Sequence, residues 1–393
     1  MMKNKIIFLL ALLWMISLNT SAQTIQDILK TIEKNNLEIQ AGHKFLDSKK
    51  QEYKHNVLPN GPSFSYGYFP DNSNNPGPKE TFQISQSFQM PFFYRNQSKY
   101  SKLLVDKEQV SQNLLRQEVL FQAKSLLIEY IYYTKMEQVL KKRLEHAEEL
   151  FDAYQQKLEN GDGNVLELNK SKLHVLHLKN QLKRNTSELN SIKKKLDYLN
   201  GNQELDMNIS TYKISDNYNA DSVLQERLAN GQEITFSRIQ SESSEQLLKV
   251  TKNMQLPKFS VGYGGETVLD DKFRGVIVGI SIPLWGSASA IKSARYQSEY
   301  LQLNHQLMIK QVQTEVNVQV EKVESLANSL NDFKETLNQV NNIELLKKAR
   351  ALGEISIIEY FLEISYFYQV YDDYLMIEKE YYLALAELFK YRL

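Results

Sequence analysis

Residues 62–68 read PSFSYGY and residues 257–263 read PKFSVGY, with five of the seven positions identical. In the first copy, Phe64, Tyr66 and Tyr68 alternate with serine or glycine. Because successive side chains of a β-strand point to opposite faces, this alternation predicts a strand with one apolar face and one small, polar face. The chain therefore carries the same strand twice.

Two further landmarks recur at a similar separation. Pro91 and Pro283 each follow an alternating stretch, and Gly161 and Gly353 each follow a long segment that lacks proline and glycine. Both pairs are 192 residues apart (283 − 91 and 353 − 161), against 195 for the repeated strand (257 − 62). A repeat of this length indicates an internal duplication into two large halves rather than a solenoid of short units.

Each half is expected to contain a helix, two strands, a long helix and a last helix, with proline and glycine marking the breaks between them. In the first half these elements are predicted at residues 24–57, 62–69, 81–90, 95–160 and 165–199. In the second half they are predicted at residues 221–256, 258–264, 274–283 and 287–352, and in a final helix that follows Gly353. The predicted domains are a first repeat at 23–200, a linking equatorial segment at 201–219 that is compatible with a short strand, and a second repeat at 220–393.

The first 22 residues have the features of a secretory signal peptide. Lys3 and Lys5 precede an almost wholly apolar run at residues 6–16, and the small residues at 20–22 offer a cleavage site. We therefore expect the mature chain to leave the cytoplasm. No later segment has the roughly 20 apolar residues that a membrane-spanning helix needs.

Composition and motifs argue against several functions. The 47 Lys and Arg residues balance the 47 Asp and Glu residues, so the charge gives no sign of a nucleic-acid surface. Cysteine is absent, which removes disulfides, thiolate metal sites and a lipid-modified cysteine, and no lipid anchor is expected. Nucleotide-binding and zinc-protease motifs are also missing, so we expect neither an enzyme nor a cofactor. His174 and His177 are spaced for a shared metal ion, but no third ligand is evident, and exposed helix residues are the preferred interpretation.

Strands with one apolar face suit two environments, a soluble sandwich and a membrane barrel whose apolar face meets lipid. Four short strands among so many helices cannot build a sandwich core, which favours the barrel. Aromatic residues at the strand ends are then candidates for the membrane–water interface, with ordinary core packing as the alternative. They are Tyr68, Phe92, Phe93, Tyr94 and Trp285.

Four strands cannot close a barrel, and an open edge cannot lie in lipid because its N–H and C=O groups would have no partners. Two copies of the chain would supply eight strands and three copies twelve, of which only twelve leave a water-filled lumen. The segments 95–160 and 287–352 would each form about 100 Å of helix, which is typical of coiled coils and helical barrels. A soluble coiled-coil scaffold is the alternative, but it has no need of lipid-compatible strands.

Two motifs, each present twice and in the same order, resemble the TolC-like outer-membrane efflux proteins over essentially the whole mature chain. One is the second strand running into proline and a helix start, SQSFQMPFFYRNQSK (85–99) and VGISIPLWGSASAIKSA (278–294). The other is a glycine tip before an acidic helix start, LENGDGNVLELNKSKL (158–173) and RALGEISIIEYFLEIS (350–365).

The resemblance implies a mainly α-helical chain with a small membrane β-barrel part. Three chains with four strands each would form a trimeric 12-stranded barrel on an α-helical periplasmic tunnel of about 100 Å. It also implies a homotrimer in the outer membrane of a Gram-negative bacterium, with the helices in the periplasm. Such a duct passes small molecules or metal ions from an inner-membrane efflux pump and a periplasmic adaptor (membrane fusion protein) to the exterior. Two alternatives stay open: a periplasmic coiled-coil adaptor or scaffold, and the same duct serving protein secretion.

The resemblance also assigns roles to residues at the two helical hairpin tips. The candidates for adaptor docking are Gly161, Asp162, Gly163, Gly353, Glu354, Ile355 and Ser356. Family tips carry an acidic residue six positions past the glycine, which makes Glu167 and Glu359 gating candidates, as glutamate where aspartate is expected. A second acidic position, nine past the glycine, is Leu362 here, with Glu363 beside it. Carboxylate rings at a tunnel mouth and simple stabilisation of the helix N-termini are equally compatible with these residues.

Overall fold

The computed structural model describes residues 24–70, 77–212, 218–269, 271–340 and 342–393. The predicted signal peptide therefore lies outside the described residues, as do most of the turn after the first strand and part of the linking segment. The helices are α1 (Ile25–Asn35), α2 (Leu37–His55), α3 (Pro91–Glu159), α4 (Val165–Leu199), α5 (Ala220–Asn230), α6 (Gln232–Met254), α7 (Ser287–Gln339), α8 (Asn342–Ala351) and α9 (Ile357–Leu388). The strands are β1 (Ser63–Phe69), β2 (Lys79–Phe88), β3 (Lys258–Val268) and β4 (Asp271–Ser281), and a short 3₁₀ turn follows α9 at Lys390–Arg392.

The first helix of each half is interrupted, so the prediction of one continuous helix was wrong in both places. At Asn36 the backbone is extended, and the side-chain amide donates to the Leu199 carbonyl (2.8 Å) while its oxygen accepts from the Ile39 N–H (3.0 Å). In the second half the break is at Gly231, where a Cβ atom would lie 2.5 Å from the Arg227 carbonyl oxygen. The two breaks are 195 residues apart (231 − 36), the same offset as the repeated strand.

The long helices also differ from the prediction at their ends. Helix α3 begins at Pro91, four residues before the predicted start. Proline is favourable at the first position of a helix, because the N–H group of that residue makes no hydrogen bond within the helix. Helix α7 ends at Gln339, and α8 begins at Asn342, so the predicted single helix at 287–352 is divided. The sequence there contains two adjacent asparagines, whose side chains compete with the helical backbone for hydrogen bonds.

The four strands form one antiparallel sheet in the order β1-β2-β3-β4. The outer pairs are hairpins, and the central pair, β2 with β3, joins the two halves of the sequence. Strand β3 extends four residues past its predicted end, because GETV continues the strand instead of turning. An ion pair between Lys79 and Glu266 (2.6 Å) links β2 to this extension. Strand β4 begins three residues before its predicted start and ends two residues before its predicted end. Leu269, with a positive φ of 57°, follows β3.

The residues divide into two compact units that cut across the sequence halves. One unit comprises Met1–Gln40, Arg116–Leu224 and Glu315–Leu393, and the other Ala41–Leu115 and Gln225–Thr314. Each unit therefore draws on both repeats, and the repeat boundaries inferred from the sequence stay a prediction. Among its described residues, 201–212 and 218–219, the linking segment contains no strand.

In the first of these units, one face of α1 packs against the hydrophobic core. Its buried positions have the i, i+3, i+4, i+7 spacing of an amphipathic helix: Ile25, Ile28, Leu29 and Ile32. Thr24 and Asp27 form a capping box that fixes the start of this helix. From α3 and α4 the fully buried Ile128, Ile131 and Leu196 complete the core, and each such side chain contributes roughly 1.5–3 kcal/mol on burial.

Candidate functional site: the sheet faces and the hairpin tips

One face of the sheet is apolar and exposed. The pairing places Phe64 beside Ile84, Ile84 beside Tyr263, and Tyr263 beside Val276, so one apolar row crosses all four strands. The same face carries Tyr66, Tyr68, Phe82, Phe88, Phe259, Val261, Val278 and Ile280. Most of these side chains are largely exposed. An exposed apolar patch of this extent is typical of a surface that contacts lipid or another protein.

The opposite face is small and polar. A row of paired residues crosses it as Ser65, Gln83, Gly264 and Gly275. Ile277, which pairs with Gly262, lies on this face as an apolar exception. The two faces therefore differ in the way that lipid-facing and lumen-facing sides of a membrane barrel differ.

The sheet has two open edges. Within the described part of the chain, β1 pairs only with β2, and β4 pairs only with β3. Each edge presents a row of backbone N–H and C=O groups that another strand can pair with.

The predicted interface aromatics lie at both ends of the sheet. Phe92, Phe93 and Tyr94 form the first turn of α3, directly after β2, and the Tyr94 hydroxyl accepts a hydrogen bond from the Gln89 N–H (3.1 Å). Trp285 follows β4 and is highly exposed. Tyr68 lies near the other end of the sheet, at the end of β1. The exposed Phe69 and Phe273 lie at the same end, although the sequence pattern did not predict them as interface aromatics. Their role at a membrane interface stays a prediction.

The two hairpin tips have the same backbone geometry. Gly161 and Gly353 adopt positive φ angles of 84° and 75°, which favour glycine. At the first tip the N–H groups of Gly161 and Asp162 donate to the carbonyls of Leu158 and Lys157 (3.1 and 3.0 Å). Gly353 and Glu354 make the equivalent hydrogen bonds to Arg350 and Ala349 (3.2 and 2.9 Å). Each helix thus ends in a Schellman motif, and five residues separate it from the next helix.

The helices that follow the tips begin with different caps. Asn164 accepts from the Leu166 N–H (2.9 Å). Ser356 and Glu359 form a full capping box, in which the Glu359 carboxylate accepts from the Ser356 N–H (2.7 Å). The hydrogen bonds from Ser356 hold the pKa of the Glu359 carboxyl below its usual value. Glu359 therefore has a capping role, which is compatible with a ring because its side chain stays exposed.

The remaining tip candidates are also accessible. Glu167 lies in the first turn of α4 and is half-buried. Glu363 is exposed on α9, beside the exposed Leu362. Asp162 and Glu354 are exposed, whereas Gly163 and Ile355 are half-buried. A Cβ atom at Gly163 would lie 2.4 Å from the Leu158 backbone nitrogen, so no larger residue fits there. The gating and docking roles of these residues stay predictions.

A small core behind the tips joins the two hairpins, and apart from its aromatic residues nothing in the local sequence indicates it. Tyr154 from α3 and Phe361 from α9 are both buried and belong to one apolar cluster. The Arg350 guanidinium donates to the Tyr154 hydroxyl (Nε to O, 2.9 Å), and the Tyr360 hydroxyl lies 3.1 Å from His146 Nε2. These contacts connect α8 and α9 to α3 and hold the two tips in one arrangement.

His174, one of the two histidines with metal-like spacing, belongs to the same region. Its ring contacts the Phe361 ring, with centroids 5.1 Å apart. Burial is the main cause that holds the pKa of His174 below its usual value, and the neighbouring His177 is the second cause. Across the described residues no three His, Cys, Asp or Glu side chains gather as a metal site would require.

In the duct that the sequence resemblance implies, removing the charge of Glu359 is expected to change cation block. The Glu359→Gln side chain keeps a carbonyl oxygen for the Ser356 N–H, so the helix cap is retained while the negative charge is lost. If three copies form a carboxylate ring, block of single-channel current by a multivalent cation should weaken. Unchanged block in Glu359→Gln would show that the residue only caps the helix. Ser356→Ala, which removes the cap hydroxyl and keeps the charge, is the control.

Neither a protein-family model nor a curated protein sequence matches the chain. Solved structures do. The CmeC outer membrane channel of Campylobacter jejuni superposes with a TM-score of 0.78 at 15% identity, covering 93% of this chain and 85% of that chain. A membrane protein from Pseudomonas aeruginosa gives 0.80 at 11% identity, covering 93% and 89%. The open state of the Neisseria gonorrhoeae MtrE outer membrane channel gives 0.74 at 9% identity, covering 93% and 88%.

These superpositions define the class of fold. The chain has the fold of TolC-like outer-membrane channels, and the resemblance inferred from the sequence motifs is confirmed at that level. The predicted fold class, a mainly helical chain with a duplicated plan and a small four-stranded sheet, is confirmed as well. No described helix is both long enough and apolar enough to cross a membrane.

Proposed function

We propose that the protein is the outer-membrane exit duct of a tripartite efflux system. Three copies close a 12-stranded barrel in the outer membrane, and their helices form a periplasmic tunnel. Small molecules or metal ions enter from an inner-membrane pump through a periplasmic adaptor and leave at the cell surface. The observation that carries this proposal is the four-stranded sheet with an exposed apolar face, a small polar face and two open edges.

The sheet supports a membrane location because its apolar face has nothing in the described chain to cover it. Burial of such a face in lipid is favourable by about 25 cal/mol for each Å² of apolar surface that it removes from water. The backbone groups of the open edges must then be paired, because each unpaired group in hydrocarbon costs several kcal/mol. Further copies of the same sheet supply that pairing, and an all-antiparallel ring follows when β4 of one copy lies beside β1 of the next.

The lumen-facing side supports a conducting role. The row of Ser65, Gln83, Gly264 and Gly275 is small, so twelve such strands would leave the lumen open to water. The nature of the cargo follows from the pump, and the proposal covers small molecules and metal ions.

The hairpin tips support docking of the adaptor. Both tips carry exposed polar and acidic groups on five-residue turns, and the core of Tyr154 and Phe361 lies behind them. A periplasmic adaptor or scaffold, the alternative function, would have the long helices but would leave the exposed apolar sheet without a purpose. Extraction by sodium carbonate separates the two functions, because an adaptor washes off and a barrel stays in the outer membrane.

Cross-linking between copies tests the closed ring. The protein has no cysteine, so introduced pairs can be read without background. Ser65→Cys in β1 is combined in turn with Gly275→Cys, Ile277→Cys, Gly279→Cys or Ser281→Cys in β4, which all lie on the polar face. Mild oxidation should join one of these pairs and give a ladder that ends at the trimer.

Tyr66→Cys with the same β4 partners is the matched control. Tyr66 lies on the apolar face, so its side chain points away from those positions, and we expect no cross-link. A ladder ending at the dimer, or equal cross-linking from positions 65 and 66, would contradict the proposed barrel.

A further inference from the structure

A cavity of about 340 Å³ lies in the unit that contains α1 and the C-terminal turn. One face of α1 lines it with Leu29, Lys30 and Glu33, and α3 contributes Arg116 and Lys124. Arg392 and the ring of Phe389 come from the C-terminal end of the chain. The volume lies within the usual range of small-molecule sites, about 300–1,000 Å³, and exceeds what a simple inorganic ion would fill.

Lys124 is the unusual residue of this cavity. It is only 6% exposed, and no hydrogen bond or ion pair to its ammonium occurs among the described residues. Burial holds the pKa of Lys124 below its usual value, with no contribution from a nearby carboxylate. A buried ammonium without a partner is costly, and lysine is almost never fully buried unless it is paired.

The one acidic side chain of the cavity is already engaged. Glu33 accepts from Arg116 through both oxygens, with Nε to Oε1 at 2.6 Å and Nη2 to Oε2 at 3.0 Å. Its charge is therefore directed to Arg116 and not to Lys124. Lys30 and Arg392 also line the cavity, so its lining contains four basic side chains and one acidic side chain.

Of the other lining residues, one has a polar side chain, Gln26, and the remaining four have apolar side chains. Leu29, Leu120, Phe389 and Leu393 contribute hydrocarbon surface beside the ammonium. An anion that fits this lining would place a negatively charged head against Lys124 and an apolar body against these side chains. Hydrogen bonds to a charged partner are roughly twice as strong as neutral ones, so a carboxylate is a better fit than a neutral polar group.

The C-terminal turn that closes the cavity is fixed in place. Gln117 donates to the Lys390 carbonyl (2.8 Å), and Lys390 forms an ion pair with Glu118 (2.8 Å) while lying over the Phe121 ring (4.6 Å). The C-terminal residues that line the cavity are therefore held against α3 by contacts outside the cavity.

We propose that this cavity is a binding site for a small organic carboxylate, with the carboxylate paired to Lys124 and the apolar part packed on Leu29, Leu120 and Phe389.

Fluorine NMR with 4-fluorobenzoate tests the proposal on the full-length detergent-solubilised protein. We expect the ligand resonance to broaden and shift with the wild-type protein, and the Lys124→Met variant to weaken the affinity at least tenfold. Lys102→Met, which removes an exposed lysine from the same helix, should bind as the wild type does. The neutral 4-fluorobenzamide and the tail-free trifluoroacetate should both bind more weakly than 4-fluorobenzoate.

Three results would overturn the site. Binding that survives in Lys124→Met would place the ligand elsewhere or in the detergent. Equal binding of 4-fluorobenzamide would remove the role of the carboxylate, and equal binding of trifluoroacetate would remove the role of the apolar lining. A folded Lys124→Met protein is expected, because methionine suits a buried position, and its thermal unfolding checks this. An unfolded variant is replaced by Lys124→Gln, for which the same loss of affinity is expected.

Discussion

Replacing Val278 with lysine is expected to keep the protein out of the outer membrane. Val278 lies in the middle of β4, on the apolar face of the sheet, and is 75% exposed. A lysine on the lipid-facing side of a barrel costs about 2–4 kcal/mol near the bilayer midplane, and a trimer carries that cost three times. We expect the amount of protein in carbonate-washed outer membranes to fall at least tenfold.

The adjacent residue provides a matched control. Ile277 is also exposed, but it lies on the opposite, polar face of the same strand. Ile277→Lys should therefore reach the outer membrane at close to the wild-type level, because its ammonium would face water. If both lysine variants were retained equally, or if Val278→Lys inserted normally, the apolar face would not be the lipid-facing side of a barrel.

Replacing Phe361 with alanine is expected to release the hairpin tips. Phe361 is 5% exposed and packs against Tyr154, with further ring contacts to His174 and Tyr360. Truncation of a buried phenylalanine costs about 3–5 kcal/mol. Because this core is small and local, the loss should show as local opening, with faster amide hydrogen exchange at residues 150–170 and 350–365 and little change in the core around α1.

Leu362 provides the control for this experiment. It is the next residue of the same helix, and it is 63% exposed. Leu362→Ala should leave hydrogen exchange at both tips unchanged. Equal acceleration in the two variants, or none in Phe361→Ala, would mean that the core behind the tips does not hold them together. Loss of efflux in Phe361→Ala with normal membrane insertion would connect tip geometry to docking.

The strands could be predicted from sequence because their signal is local. Alternation of apolar and small residues at 62–68 and 257–263 is readable within seven positions, and the prolines mark where the strands end. The ends of β3 and β4 were harder, since Gly264 and Gly265 look like a turn but continue the ladder beside Phe82 and Gln83. Register and strand order arise from pairing with distant segments, which local patterns do not contain.

The helix breaks show the same division between local and distant causes. The pair Asn230-Gly231 is a known turn signal, and it could have located the second break. The equivalent break at Asn36 depends on a hydrogen bond to the Leu199 carbonyl, 163 residues away. No local pattern predicts that contact, and only the duplication, applied from Gly231, would have indicated it.

The turns at the hairpin tips could be predicted from the sequence, but the packing behind them could not. Gly161 and Gly353 were recognised because a helix that ends in a left-handed residue favours glycine. The packing of Tyr154 on Phe361 joins residues about 200 positions apart, so it could not be read from either segment alone. Lys124 gave a weak sign, as a single lysine in the apolar stretch LFQAKSLLIEY, but its lack of a partner is visible only in the fold.

The central claim is that three copies close one barrel, and electron microscopy of the detergent-extracted outer-membrane protein tests it most directly. We expect a particle with threefold symmetry, in which twelve strands form a single ring and helices of about 100 Å continue from it. A dimer, a particle without rotational symmetry, or absence of the protein from that membrane would contradict the trimeric barrel and would favour a periplasmic scaffold instead.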